Sequence, residues 1–231
     1  MFYLCLDVES SGPIPGLHSL VSVGAVPVVV LPAKTVGEPR SWQVLANEVF
    51  YVELQPLEHG LEIEAATRIH GLSRDYLNQN GTPPALAMAQ FAEYIRQLVR
   101  RFGKAVGAGW PASFDGPFVA YYEHQYLDCP MLGFRYFDIS SFGQGLLGCT
   151  RKDLYRYLAS QQLLPDPKRG HHSASDDAVF QAKILAHLLQ QMEIRKVAGL
   201  YQPPHWVCES TGACDEMDDQ ELSGVGLGEL L

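Results

Sequence analysis

Apolar positions run together in the first part of the chain and spread into helical stripes further on. Residues 2–8, "FYLCLDV", and 19–31, "SLVSVGAVPVVVL", are rich in Val, Leu and aromatics and predict strands. "NEVFYVELQP" alternates apolar and polar positions with period two and predicts a third strand. The polar, Pro- and Gly-containing stretch "LPAKTVGEPRSWQ" reads as the hairpin connection between the second and third. Helices are expected over 62–69 and over 84–102, the latter opened by "GTPP", where proline suits a first turn. "KAVGAGW" predicts a fourth strand, "SFDGPFVAYYEHQYL" a helix and "FRYFDI" a fifth strand, with further helices over 139–160 and about 174–195. Three strands in an antiparallel meander, followed by strands alternating with helices, predict an α/β fold: a mixed five-stranded sheet flanked by helices.

From about residue 200 the pattern stops. The stretch "YQPPHWVCESTGACDEMDDQELSGVGLGELL" is acidic, contains Pro and Gly and lacks helical period, so residues 1–199 are expected to fold and 200–231 to form a flexible tail. His205, Cys208 and Cys214 match no strong zinc spacing. The segment "QELSGVGLGELL" faintly resembles a partner-docking tail, against plain disorder as the alternative.

At 231 residues with 47% hydrophobic content, the chain suits one substantial globular domain. Its longest apolar run is interrupted by Gly and Pro and is too short to span a bilayer. The opening "MFYLCLDVES" has no charged n-region of a signal peptide, and five cysteines form an odd set without framework spacing. A soluble, cytoplasmic protein is the expectation. The net charge of −9 looks unsuited to nucleic acid, but seven acids and no Lys or Arg fall in residues 201–231. The body, with 19 acids against 17 bases, is near neutrality. That argues against a broad duplex-binding surface, not against gripping a short strand end.

Chemistry concentrates where predicted strands and helices end. Asp7 and Glu9 close the first strand, and residues i and i+2 of a strand point to one face. Two buried carboxylates side by side repel unless a cation lies between them; otherwise they must sit in water. In "HHSASDDAVFQ", His172 precedes Asp177 across a predicted helix start. Ser173 is expected to cap that helix, with Asp176 completing a capping box. Asp115 falls in the first turn of the helix after the fourth strand, where the helix dipole alone also favours an acid. Four acids and one histidine at neighbouring element ends supply oxygen ligands for two hard divalent cations, and a base for water.

On these residues the chain resembles the DnaQ-like superfamily of 3′–5′ exonucleases, in its DEDDh branch, with a ribonuclease H-like fold. "DVESSG" is similar to the family's first motif, "PASFDGPFV" to its second and "HHSASDDA" to its third. "ATRIHGLS" is similar to the family's "IHG" segment near the terminal nucleotide, which makes His70 a candidate substrate contact beside the alternative of an ordinary helix-end histidine. The resemblance covers roughly residues 1–195. It implies Mg²⁺ or Mn²⁺, two per site, on Asp7, Glu9, Asp115 and Asp177. It implies His172 as general base, and hydrolysis at a 3′ end, single-stranded by expectation, releasing nucleoside 5′-monophosphates from DNA or RNA. A non-catalytic nucleic-acid-binding or scaffold domain on the same fold is the alternative. Two departures stand out. Ser10 occupies a position where many relatives carry threonine, and Pro111 one where they often carry asparagine. Ser10 and Gly12 become candidates for admitting a 3′ terminus, and Trp110 for stacking on a base or for packing.

Overall fold

The structure is a computed structural model describing residues 1–164 and 172–200. The expected tail, with its cysteines and docking segment, lies outside the described residues apart from Leu200. The sheet contains β1 (Phe2–Ser10), β2 (Leu20–Leu31), β3 (Ser41–Val44), β4 (Phe50–Glu53), β5 (Ala105–Gly109) and β6 (Tyr136–Asp138). Its order is β3-β2-β1-β5-β6, with β4 also on β2. β2 is antiparallel to β1, β3 and β4, whereas β5 runs parallel to β1 and to β6. The mixed architecture is the one expected: β4 is the predicted third strand, and β3 is an additional strand inside the stretch read as a hairpin connection.

Pro27 accounts for the gap between β3 and β4 along β2. The Leu45 amide donates to the Pro27 carbonyl at 3.0 Å, so the polar edge of Pro27 faces this neighbour. A proline has no N–H to return the bond, and the ladder breaks there. β3 resumes pairing on one side, Val28 to Val44, and β4 on the other, Ala25 to Phe50.

The helices are α1 (Glu64–His70), α2 (Arg74–Asn80), α3 (Pro84–Phe102), α4 (Ala112–Tyr126), α5 (Ile139–Leu147), α6 (Arg151–Ser160) and α7 (Ala174–Val197). α3 carries proline at its start, as expected. The helical stretch expected over 139–160 is divided into α5 and α6. Gly148 takes a left-handed φ of 61° and closes α5, and Thr150 then caps α6 through the Asp153 amide. α2 went unforeseen, although Ser73 caps it through the Tyr76 amide. Among the described residues, no helix is long and apolar enough to cross a membrane.

Alternation along β1 divides the molecule. Phe2, Leu4, Leu6 and Val8 join a core with Met88, Phe91 and Ile95 of α3. Cys5 joins a second core with Ala178, Ala182 and Leu185 of α7. By the same parity, Asp7 and Glu9 belong to the α7 face. Burying each large aliphatic side chain contributes about 1.5–3 kcal/mol, so β1 is held rigidly from both sides.

Candidate active site

The acids are brought together by three backbone arrangements. β1 supplies Asp7 and Glu9. Asp7 pairs across the sheet with Gly24, and a side chain at Gly24 would come within 2.0 Å of the Ala174 carbonyl oxygen. The absence of a side chain there lets the first turn of α7 lie directly on β2, which carries Asp177 beside β1. The capping box expected for this helix does not form. Ser173 binds none of its amides, and its hydroxyl lies 3.0 Å from that of Ser175, which is near enough to satisfy it locally.

The third arrangement places Asp115. β5 ends at Gly109, and α4 begins three residues later, after Pro111. Pro111 offers no side-chain cap, but Asp138, at the end of β6, accepts from the Ala112 amide at 2.9 Å and from the Ser141 amide at 2.7 Å. One carboxylate thus braces the starts of both α4 and α5. Burial opposes its ionisation, yet these amides hold Asp138 below the ordinary carboxylate range.

Glu9, His172 and Asp177 each offer a ligand atom within 4.8 Å of the others. His172 Nδ1 lies 3.4 Å from Asp177 Oδ2, and the His172 amide donates to the Ile69 carbonyl at 3.0 Å, tying the histidine to the end of α1. Desolvation, then the carboxylates of Asp115, Glu9 and Asp177, push Asp7 well above the ordinary range, against a hydrogen bond from Gln181. Burial likewise raises Asp115, to about 8, although backbone amides led by Val8 pull the other way. The Val8 amide donates to Asp115 Oδ1 at 3.2 Å, while Oδ2 is buried with no hydrogen-bond donor. Two buried acids whose ionisation is opposed, Asp7 and Asp115, beside an orphaned buried oxygen and further carboxylate and imidazole donors, fit hard divalent cations.

Two grooves flank the carboxylates. The first, of about 340 Å³, is lined by Glu9, Ser10, Gly12, Ile63, His70 and Phe114, among others. All three substrate-contact candidates from the "DVESSG" and "IHG" segments therefore meet here. Their internal bonds qualify them. The Ser10 hydroxyl donates to the Gly12 carbonyl at 2.8 Å, leaving its oxygen as an acceptor. Gly12 packs where a Cβ would lie 2.1 Å from the His18 ring. His70 is buried at the end of α1 and accepts from the Leu72 amide at 3.0 Å. Trp110 is not in this groove; it lines a second one on the Asp7 side.

Gln181 is a site residue that the sequence reading missed. Its Nε2 donates to Asp7 Oδ1 at 2.6 Å, and its Oε1 is buried without a partner. Its place four residues after Asp177, hence on the same helix face, was the available signal.

No family model matches the chain. Among curated proteins, it is 32% identical over 195 residues to the 3′–5′ DNA exonuclease Cap18 of Escherichia coli, covering 84% of this chain and 95% of that one. Its fold is similar to the nuclease domain of 3′hExo, a DEDDh family member, bound to rAMP. That match has a TM-score of 0.60 at 12% identity over 83% of this chain and 93% of the other. E. coli ExoI, in its zinc-bound complex with single-stranded DNA, superposes with a TM-score of 0.57 at 15% identity, over 86% of this chain and 42% of that one.

Proposed function

The chain belongs to the DnaQ-like superfamily of 3′–5′ exonucleases, and from that premise we propose that it removes nucleotides from the 3′ end of DNA through Asp7, Glu9, Asp115, His172 and Asp177. It is a metal-dependent 3′–5′ exonuclease. DNA as substrate is supported by the name of the relative that matches across 84% of the chain. The observation carrying the site is the convergence of Glu9, His172 and Asp177 within 4.8 Å, beside an Asp7 whose ionisation burial and its neighbours oppose. Residues 1–199 form the exonuclease domain in this reading.

Asp7, Glu9 and Asp177 would hold one Mg²⁺ or Mn²⁺, and Asp7 with Asp115 a second. When bound, such ions stabilise charge on the phosphoryl and leaving oxygens and acidify the attacking water. The protein's own groups do the rest. With Nδ1 turned toward Asp177, His172 accepts the proton of the attacking water on Nε2. Asp177 keeps that tautomer and steadies the imidazolium that forms. The groove lined by Ser10, His70 and Phe114 receives the terminal nucleoside, single-stranded at that point, with its base against Ile63 and Phe114. Gln181 holds Asp7 in a fixed rotamer.

The test is a panel of 3′-labelled single- and double-stranded DNA and RNA oligonucleotides, digested with Mg²⁺ and with Mn²⁺. Stepwise release of nucleoside 5′-monophosphates from DNA, abolished in Asp7→Asn, is expected. His172→Ala should lower turnover by about 10²–10⁴-fold while Mn²⁺ still binds. Endonucleolytic products, or digestion that survives Asp7→Asn, would sink the assignment, and a preference for RNA would overturn the substrate.

A further inference from the structure

The second groove, of about 270 Å³, is lined by Asp7, His172 and Asp177 together with Trp110, Tyr155 and Phe180, among others. The three aromatic residues come from three places in the fold: the β5–α4 junction, α6 and α7. Trp110 stands edge-on to Tyr155, with ring centroids 5.6 Å apart and planes at 82°, and its Nε1 donates to the Tyr155 hydroxyl at 3.3 Å. That contact fixes the tilt of a tyrosine that remains 37% exposed. Positive charge accompanies the rings. The Arg151 guanidinium lies 5.8 Å from the centroid of Tyr155, and the Lys183 ammonium 5.6 Å from that of Phe180. The nearby acid of α6, Asp153, is engaged by Arg156 and Thr150.

We propose that this groove is the platform for the nucleotides immediately 5′ of the scissile bond. Their bases stack on Tyr155 and Phe180, and their phosphates pass Arg151 and Lys183, so the enzyme requires those bases unpaired. The inference rests on the exonuclease reading and adds to it the path of the strand. Glu9 lines one groove and Asp7 the other, and the two residues are about 7 Å apart along one face of β1. A phosphodiester lying over these carboxylates has one nucleotide on each side. With the terminal nucleoside in the groove at Glu9, the chain leaves through the aromatic one. Aromatic faces accept any base, and a cation beside each ring suits the phosphate that follows it; together these bind single strands with little regard to sequence. A base held in a duplex is already stacked and paired and presents no face to Tyr155.

A cycle between protein and substrate tests this with the full chain and Mg²⁺. Short single-stranded DNA is used intact, or with abasic residues at the second and third positions from the 3′ end. It is digested by the parent chain and by Tyr155→Ala, Tyr155→Leu and Tyr155→Phe. Removing the bases should lower kcat/KM of the parent about 5- to 100-fold. Tyr155→Ala and Tyr155→Leu should lose as much on the intact strand and lose little more on the abasic one, while Tyr155→Phe keeps the parent's behaviour. The preference of the parent for single strands over blunt duplex should shrink in the same two variants. Equal digestion of intact and abasic strands by the parent, or full abasic sensitivity in Tyr155→Ala, overturns the platform. A parent chain inactive on every intact strand would overturn the exonuclease reading itself.

Discussion

Gln181 is a neutral side chain set among four acids, and its amide is committed to the most strongly perturbed of them. The bond to Asp7 Oδ1 at 2.6 Å opposes the upward push that burial and three carboxylates exert on Asp7. Partners that orient ligand carboxylates typically change metal affinity by about 10–100-fold when removed. Gln181→Leu, close in volume, should therefore weaken Mn²⁺ binding by about that factor in calorimetric titration, before any turnover is measured. Unchanged affinity would reduce the bond to packing. The contrast with the five motif residues is instructive. Asp7 and Glu9 stand out in the sequence because charged groups at the end of an apolar run are costly unless something uses them, and Asp115, His172 and Asp177 join them as candidates at neighbouring element ends. A glutamine inside an apolar helix raises no such alarm. Asp138 could have been anticipated, since an acid just before a predicted helix is an N-cap signal. That it also braces α4 could not, because this depends on β6 lying beside β5.

At the scale of elements, the site depends on how closely α7 approaches the sheet. Gly24 has no space for even a methyl group: its Cβ would meet Ala174 backbone atoms at 2.0–2.2 Å, and backbone cannot move as a side-chain tip can. Gly24→Ala should lift the first turn of α7, carrying Asp177 away from Asp7 and Glu9. We expect a loss of stability on the order of 1–3 kcal/mol in denaturant titration, as for overpacking elsewhere, and a larger proportional loss of activity than of folded protein. Activity that tracks the folded fraction would show that the helix yields without moving the acid. The failures of element prediction share a cause. β3 is four residues inside a polar connection, α2 is seven residues with a polar sequence, and α5 and α6 are nine- and ten-residue helices parted by a short turn at Gly148. Short elements are set by their neighbours more than by their own pattern.

For the molecule as a whole, the metal-free state carries a pH signature. Asp7 and Asp115 have folded-state pKa values above the ordinary 3.8, Asp115 at about 8. The folded chain then retains protons that the unfolded chain has released, so stability falls as pH rises through this window. Thermal melts in chelator should show the midpoint dropping between about pH 4 and pH 8, and Asp115→Asn should flatten part of the drop. Saturating Mn²⁺ should reverse the trend, because cations bind the ionised, folded site and not the unfolded chain. A midpoint indifferent to pH in chelator would contradict the buried, mutually repelling acids. The break at Pro27 has a different consequence, for the company the protein keeps. An open sheet exposes edge strands that can recruit strands from other chains. Among the described residues, one border is two four-residue pieces, β3 and β4, and the other is the three-residue β6. Such short pieces make poor templates for an intermolecular ladder, so a proline in the middle of a buried strand also works against edge-to-edge strand pairing.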